Sequence, residues 1–449
     1  MAVEDSFPRD VPRLAGTLLT DPDSLAAAAD DFGHAVHERP LAVLKPGSVD
    51  DVVAMVRYAR ARGLTVACRG RGHSTQGQAQ ARNGVVVDSR GLDRVHEVGS
   101  DSVWIDAGAS WRSVVTATFA HGLTPPVVTD YLDLSVGGTL SGGGIGGESH
   151  RHGAQVDGVE EVEVVTGAGE RRTCSAERDA PLFEAVLAGL GQVAIMVRAR
   201  LRLVPARPLA RVSLLTYRGL EAFTADATAV ALDGRFDHVQ GQAQAGPGGW
   251  TWQMIATSYF AGGAEPDERL LDGLADDRSA LVVEDIPYPA FLARIDPIIE
   301  AQRQLGTWSH PHPWFDVFVP GSAVGAYVGG VMANLTVEDT GEGPVLLFPL
   351  RRSRFTRPCL RLPAEEVFFL FDVLRTAPPD AAALDGRVAT NRRLFEGARD
   401  VGGTRYCIGT VPFAPEDWRA HFGVHWERFR QARREFDPDG VLTPGQGIF

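Results

Sequence analysis

Apolar residues between positions 41 and 68 recur in a pattern that predicts a strand, a helix and a second strand. Ser48, with Asp51 three residues later, is typical of a capped helix start, and Gly63 favours a helix end. The helical spacing of three and four residues is carried by Val49, Val52, Val53, Val56 and Ala59. The first clear unit of the chain is therefore predicted to be an amphipathic helix between two strands.

Downstream, the pattern changes several times along the chain. Short apolar runs predict strands at residues 85–87, 103–107 and 162–165. Between the last two, residues 135–153 are dense in glycine, which interrupts regular structure there. From about Pro205 to about Tyr406 the chain is a longer mixed segment with aromatic and proline-rich loops, which predicts a second domain. A helical pattern then ends at Phe436, and an extended tail follows.

Composition narrows the class of protein. A chain of 449 residues with 44% hydrophobic and 22% charged residues predicts a folded enzyme of about two to three domains, of the α/β or α+β class. Its formal net charge of −13 provides no basic surface for nucleic acid or for an anionic membrane. We therefore expect a small-molecule substrate, and neither a nucleic-acid nor a membrane partner.

The cysteines and the N-terminus bear on metal binding and on location. The four cysteines lie far apart and form no CxxC pair, so that no metal site is indicated. The N-terminus carries acidic residues early and lacks the apolar core of a secretory signal, and no stretch is long and apolar enough to span a membrane. These features indicate a cytoplasmic protein.

A first loop, RGRGHSTQGQA, combines glycine with residues that bear chemistry. It follows a predicted strand, so that bare backbone N–H groups near Gly70, Gly72 and Gly77 can approach a pyrophosphate. The spacing of these glycines differs from GxGxxG and no helix pattern follows at once, which disfavours a nicotinamide cofactor. On local pattern alone, His73 in this loop is more often a structural or surface residue than a functional one.

A second loop begins at Thr129 and Asp130 and continues into the glycine-dense segment. Each glycine costs roughly 0.5–1 kcal/mol against alanine in regular structure, so this density indicates a backbone that must approach a ligand closely. A large flat ligand would supply that reason. A flexible linker is disfavoured because Leu140 and Ile145 are apolar, whereas Asp130 taken alone is more often an ionised surface residue.

Taken together, the motifs resemble a known family. RGRGHSTQGQA, TDYLDLSVGGTLS, RHG, LFEAVLAGLGQ, HPW followed by FVP, and PGQGIF occur in one order between about Leu41 and Phe449. In this order they resemble the cytokinin dehydrogenases, within the vanillyl-alcohol-oxidase-type flavoenzymes. The resemblance implies an α+β fold: a two-part FAD-binding domain of that type, residues 1–207 and 410–449, with an inserted α+β substrate domain, residues 208–409.

The resemblance also implies a cofactor and the residues that bind it. We expect FAD, bound covalently through His73, which matches the family's flavin-linked histidine. The expected FAD contacts are Gly70, Arg71, Gly72, His73, Ser74, Gln78, Ser135, Ser141, Ile145, Ile195, Thr443 and Gln446. Without the resemblance, Thr443 and Gln446 would be interpreted as part of an ordinary surface tail.

Asp130 is the catalytic residue that the resemblance implies, because it matches the aspartate of the family's TDYL motif. A carboxylate near a flavin can accept a proton from a secondary amine while a hydride leaves the adjacent carbon. The implied reaction oxidises N6-substituted adenines (cytokinins) to an imine, which hydrolyses to adenine and an aldehyde, and it requires an electron acceptor, oxygen or a quinone or another carrier. The alternatives are a related covalent-FAD oxidase acting on an alcohol or sugar, and a flavin-binding protein without turnover.

Three residues are expected to bind the substrate: Asp130, Gln240 and Trp314. Trp314 matches an aromatic residue of the family's substrate pocket, where it suits a planar adenine. Gln240 stands where plant members often carry a glutamate in a DYVEG segment, and it cannot supply that negative charge. After the HPW motif, Phe315 and Asp316 replace the usual Leu and Asn. These departures bear on side-chain specificity and not on flavin attachment.

Overall fold

The computed structural model describes residues 10–246, 249–341 and 343–449, and their strands form three large sheets and one two-stranded sheet. Residues 1–9, on which the expectation about the N-terminus largely rested, lie outside the described residues. Within the described ranges, no helix has the length and apolar character needed to cross a membrane.

The first sheet is built around the helix that the sequence predicted. Its elements are β1 (Thr17–Leu19), α1 (Pro22–Ala28), β2 (Ala42–Lys45), α2 (Val49–Ala61), β3 (Val66–Arg69) and β4 (Val85–Asp88). The strand order is β1-β2-β4-β3, with β2, β4 and β3 parallel. The capped start of α2 is confirmed: the Ser48 hydroxyl accepts from the Asp51 N–H at 3.3 Å, and the Asp51 carboxylate accepts from the Ser48 N–H at 3.2 Å.

The second sheet has five antiparallel strands in the order β5-β6-β10-β8-β9, and β7 pairs with β11 in the small sheet. The elements of this region are β5 (Val95–Val98), β6 (Ser102–Asp106), α3 (Trp111–Phe119), β7 (Leu123–Thr124), α4 (Val136–Gly142), α5 (Ser149–His152), β8 (Val159–Thr166), β9 (Arg171–Ser175), α6 (Ala180–Val186), β10 (Ala194–Arg202) and β11 (Val204–Pro205). The strand predicted at residues 162–165 is confirmed within β8, and the one predicted at residues 103–107 is confirmed within β6 except for its last residue.

Helix α4 lies inside the glycine-dense segment, where the sequence predicted irregular structure, and that prediction was wrong for these residues. Glycine lowers helix stability by about 1 kcal/mol per position, so propensity argued against a helix. Val136 and Leu140, four residues apart, are fully buried in the core under the second sheet. Burial of this apolar face, which depends on tertiary contacts, outweighs the propensity.

The third sheet has eight antiparallel strands in the order β15-β12-β14-β13-β17-β18-β16-β19. Its elements are β12 (Leu209–Tyr217), α7 (Leu220–Asp233), β13 (His238–Gly246), β14 (Gly249–Phe260), β15 (Val282–Pro287), α8 (Tyr288–Leu292), α9 (Asp296–Leu305), β16 (Phe315–Pro320), α10 (Gly321–Met332), α11 (Val337–Thr340), β17 (Val345–Arg351), β18 (Val367–Val373), α12 (Ala381–Asp400) and β19 (Thr404–Arg405). Helices α7, α10 and α12 cover one face, where Phe223, Val324 and Phe395 share a core with Val317 and Phe371.

The C-terminal segment returns to the first sheet after α13 (Pro415–Phe422) and α14 (Trp426–Phe436). Leu442 forms a parallel bridge with Val66 of β3. The Val66 N–H donates to the Val441 carbonyl, and the Thr443 N–H donates to the Val66 carbonyl, each at 2.8 Å. The buried Asp437 carboxylate accepts from the N–H groups of Val441 and Leu442, each at 2.9 Å. The tail therefore extends the first sheet beyond β3.

We expect Leu442→Ala to lower the free energy of unfolding by roughly 2–5 kcal/mol, because Leu442 is fully buried between the tail and β3. Urea denaturation followed by tryptophan fluorescence measures the change. The matched control is Leu305→Ala, because Leu305 is 69% exposed and its truncation should cost no more than about 0.5 kcal/mol. Equal costs for the two variants would contradict a structural role for the tail.

Candidate active site

A cavity of about 460 Å³ lies where the three large sheets and the C-terminal tail meet. Its size falls within the range of roughly 300–1,000 Å³ that is typical of ligand and cofactor sites. The structure brings every site residue predicted from the sequence to this cavity: Gly70, Arg71, Gly72, His73, Ser74, Gln78, Asp130, Ser135, Ser141, Ile145, Ile195, Gln240, Trp314, Thr443 and Gln446.

Backbone lines the cavity where the first loop meets the start of α4. A Cβ atom at Gly70 would lie 1.9 Å from the hydroxyl oxygen of Ser135, so a side chain at position 70 would collide with the Ser135 side chain. Gly72 has a φ of 72°, a backbone conformation that glycine adopts without strain. These two segments therefore leave main-chain groups open to a ligand, which is what a pyrophosphate requires.

The C-terminal tail closes the cavity against the first loop. The Thr443 hydroxyl donates to the Gly191 carbonyl at 2.8 Å, and the indole N–H of Trp418 donates to the Gln446 carbonyl at 3.0 Å. A Cβ atom at Gly445 would lie 2.2 Å from the Gly77 carbonyl oxygen. Thr443 and Gln446 are thus held by the fold at the cavity wall and are not part of a loose surface tail.

His73 lies in a cluster of aromatic side chains. Its ring stacks on Phe32 with 3.9 Å between the ring centroids. The other members of the cluster are Tyr131, Trp308, His312 and Trp314. Burial, with a smaller contribution from the nearby His312, lowers the pKa of His73 to about 3. The ring is therefore neutral at pH 7, and its buried Nε2 has no hydrogen-bond partner among the described residues.

Asp130 is half-buried at the cavity and is paired with a cation that the sequence did not point to. The Arg294 guanidinium donates from Nη2 to the Asp130 carboxylate at 2.5 Å and to the Gln240 side-chain oxygen at 2.9 Å. Arg294 lies on the short link between α8 and α9. The ion pair fixes the direction of the carboxylate and balances its charge inside the cavity.

A buried network continues from Arg294 into the protein. Nε2 of His238 lies 3.4 Å from Arg294 Nη2, and Nδ1 of His238 lies 3.2 Å from the Glu148 carboxylate. Tyr259 donates its hydroxyl to the same carboxylate at 2.6 Å. Burial alone would raise the pKa of Glu148, but its interaction with His238 and the hydrogen bonds from His238 and Tyr259 lower it to about 2. Glu148 is therefore ionised at neutral pH, and its carboxylate holds His238 beside Arg294.

Several residues of this cavity were missed by sequence reasoning. Arg294, Phe32 and Trp308 belong to no motif, and Arg294 reaches Asp130 across 164 positions of the chain. Asp372 had a visible signal, since it is the one charged residue in the otherwise apolar strand VFFLFDV. Within a buried strand such a residue indicates a functional role more often than an exposed aspartate does.

Comparison with known proteins identifies the family of this chain. A family model described as cytokinin dehydrogenase 1, FAD and cytokinin binding, matches residues 264–449, and one described as an FAD binding domain matches residues 40–175. The chain is 40% identical, over 96% of its length and 99% of the relative's, to an uncharacterized oxidoreductase, ORF5 in the fasciation locus of Rhodococcoides fascians. It is 35% identical, over 99% of its length and 93% of the relative's, to cytokinin dehydrogenase 1 of Oryza sativa subsp. japonica.

A solved structure with a similar fold is 6-hydroxy-D-nicotine oxidase from Arthrobacter nicotinovorans. The two share a TM-score of 0.73 and 19% identity, over 97% of this chain and 98% of the other. The expected α+β fold of the vanillyl-alcohol-oxidase type is thereby confirmed. Fold and family models together define an FAD-dependent oxidoreductase. Within that class, the chain belongs to the cytokinin dehydrogenase family.

We expect Gly70→Ala to lose most of its bound flavin, because the added Cβ collides with the Ser135 hydroxyl. The double variant Gly70→Ala/Ser135→Gly removes both atoms that the new Cβ would strike and should regain part of the flavin, because it also lacks the Ser135 side chain that is expected to contact FAD. The control is Gly325→Ala in α10, where nothing lies within 4 Å of the new Cβ. Absorbance of flavin per mole of folded protein measures the effect, and full flavin content in Gly70→Ala would contradict it.

Proposed function

We propose that this chain is a dehydrogenase that oxidises the secondary amine of N6-substituted adenines, with FAD as the hydride acceptor and residues 208–409 as the substrate domain. The observation that carries the proposal is one cavity in which a carboxylate, Asp130, and an aromatic cluster lie next to glycine-lined backbone. Relatives named cytokinin dehydrogenases, similar over nearly the whole chain, support the substrate class.

The residues present fit FAD. Main-chain groups around Gly70 and Gly72, with the start of α4, suit the pyrophosphate, and the tail residues Thr443 and Gln446 face the same cavity. The aromatic cluster offers flat surfaces to planar rings. When bound, FAD supplies a two-electron acceptor for a hydride.

His73 is proposed to hold FAD through a single covalent bond to the 8α carbon of the flavin. Forming this bond would break a C–H bond of the flavin's 8α methyl group and pass two electrons to the external acceptor, and it requires a histidine nitrogen with a free lone pair. The neutral ring of His73 meets this requirement, since its Nε2 is buried without a hydrogen-bond partner among the described residues. Stacking on Phe32 limits the orientations of the ring.

Asp130 is proposed to accept the proton of the substrate's secondary amine while the adjacent C–H bond gives up its hydride. Arg294 orients the carboxylate and balances its charge, and Gln240 shares the same guanidinium. Trp314 and its aromatic neighbours are proposed to bind the adenine plane and to exclude water. The imine that remains hydrolyses to adenine and an aldehyde, and an external electron acceptor removes the two electrons.

We expect the flavin to stay with the wild-type chain after acid precipitation and to be released from His73→Ala, because the proposed bond has no other attachment point. In-gel fluorescence of the denatured chain measures the flavin that remains attached. His37→Ala, at a histidine whose side chain is 61% exposed, serves as the control and should keep its flavin. Release of flavin from the wild-type chain would refute the covalent bond and leave the remaining proposals intact.

The reaction is tested by adding N6-isopentenyladenine to the flavin-loaded protein without oxygen and following the visible flavin spectrum. We expect rapid bleaching in the wild type. Asp130→Asn keeps the side-chain size but removes the base, so flavin should stay bound and the reduction rate should fall by about 10²–10⁴-fold. The matched control is Asp133→Asn in the same motif, because Asp133 pairs with Arg112 at 2.7 Å instead of lining the cavity.

Each outcome of this experiment decides one element of the proposal. Bleaching at an unchanged rate in Asp130→Asn would remove Asp130 from the mechanism. A normal oxidised spectrum without bleaching in the wild type would exclude the amine substrate. Bleaching by an alcohol or a sugar instead would identify the related oxidase activity.

A further inference from the structure

His238 connects a buried acid to the cation that pairs with the proposed base. It is the first residue of β13 and is 1% exposed. Its Nδ1 lies 3.2 Å from Oε1 of the buried Glu148, and its Nε2 lies 3.4 Å from Nη2 of Arg294. The proposed reaction gives neither Glu148 nor His238 a role. The two ring nitrogens of His238 thus face neighbours of opposite charge.

These neighbours determine which nitrogen of His238 carries the proton. The Glu148 carboxylate is ionised at neutral pH, so it can only accept a hydrogen bond, whereas the Arg294 guanidinium can only donate one. A ring with its proton on Nδ1 and a lone pair on Nε2 satisfies both contacts, because Nδ1–H donates to Glu148 and Nε2 accepts from Arg294. A proton on Nε2 would instead set two donors against each other.

Packing fixes the His238 ring in the plane that these contacts need. A Cβ atom at Gly147 would lie 2.2 Å from Cε1 of the ring, so bare backbone lies directly against it. The ring also meets Phe291 edge-on, with 4.9 Å between the centroids and 88° between the planes. Tyr259 donates to Oε1 of Glu148 at 2.6 Å and holds the acceptor oxygen in place. A turn of the ring that exchanged its nitrogens would displace these neighbours.

The state of His238 matters to Arg294 because Nη2 has more acceptors than hydrogens. This nitrogen carries two hydrogens and lies 2.5 Å from the Asp130 carboxylate, 2.9 Å from Oε1 of Gln240 and 3.4 Å from Nε2 of His238. The guanidinium is held further by Phe291, whose carbonyl accepts from Nη1 at 3.2 Å and whose ring centroid lies 4.6 Å from it. A proton on Nε2 of His238 would push this cation out of the position from which it orients Asp130.

We propose that Glu148 and His238 are positioning residues for the proposed base. The Glu148 carboxylate keeps the proton of His238 on Nδ1, so that Nε2 accepts from Arg294 and fixes the guanidinium that orients Asp130. This inference rests on the proposed function and adds two residues to its machinery. Neither residue lines the cavity. Their effect passes through Arg294, so they govern the rate of hydride transfer more than the binding of substrate.

The position of the proton is measured by long-range ¹H–¹⁵N correlation spectra of flavin-loaded protein with ¹⁵N-labelled histidines. The signals of His238 are those that disappear in His238→Phe. We expect the wild-type ring to carry its proton on Nδ1 and a lone pair on Nε2. Glu148→Met removes the acceptor at similar side-chain length and should give a mixture of tautomers. A wild-type ring with a proton on Nε2 would overturn the proposal, and that measurement requires no variant to fold.

Flavin reduction by N6-isopentenyladenine without oxygen measures the consequence for the reaction. We expect Glu148→Met and His238→Phe to lower the limiting rate by roughly 10- to 100-fold, the range typical of outer partners that orient metal ligands. The substrate concentration at half the limiting rate should change little. Glu148→Gln keeps an oxygen that can accept from Nδ1–H, so it should lose less of the rate than Glu148→Met.

The control is Glu160→Met on β8, which makes the same change at a glutamate whose side chain is 39% exposed and should leave the rate and the tautomer unchanged. Circular dichroism and flavin content verify that each variant is folded and loaded. An unchanged limiting rate in Glu148→Met and His238→Phe, or equal losses in Glu148→Met and Glu148→Gln, would overturn the positioning role while bleaching of the wild type left the proposed function standing. Absence of bleaching in the wild type would overturn the proposed function, and the positioning role with it.

Discussion

The contact between Gly70 and Ser135 is the constraint on which the cavity depends. Gly70 follows β3 of the first sheet, and Ser135 begins α4 under the second sheet. A Cβ atom at Gly70 would lie 1.9 Å from the Ser135 hydroxyl, so a larger residue would have to displace the Ser135 side chain at the start of α4. The backbone at Gly70 therefore lies directly against the Ser135 side chain, and this wall of the cavity has no room for a side chain at position 70.

Sequence signals that lie close together along the chain predicted secondary structure correctly. Elements and site residues that depend on tertiary contacts were missed. Helix α2 was predicted because its cap and its apolar period lie within a few residues of each other. Helix α4 was not, because its stability comes from burying Val136 and Leu140 against distant residues. For the site, ordered motifs pointed to His73 and Asp130 through resemblance, whereas Arg294 has meaning only once the fold brings it to Asp130.

A chain of polar and charged side chains connects the cavity to the protein interior. Glu148, His238, Arg294 and Asp130 follow one another at hydrogen-bonding distances or close to them. Because Gln240 is neutral, Arg294 balances the charge of Asp130 without competition from a second carboxylate. A glutamate at position 240 would share the same guanidinium and leave the Asp130 charge less compensated. The neutral Gln240, in place of the glutamate that plant members often carry, thus affects the electrostatic environment of Asp130 as well as the charge of the cleft.

The position of the tail has a consequence for how the holoprotein is made. The cavity wall combines residues from the first loop with Thr443 and Gln446, which are separated from it by most of the chain. A ribosome must therefore release nearly all of the polypeptide before this cavity is complete. Any cofactor bound there would be captured after the tail has been made and has folded against the first loop.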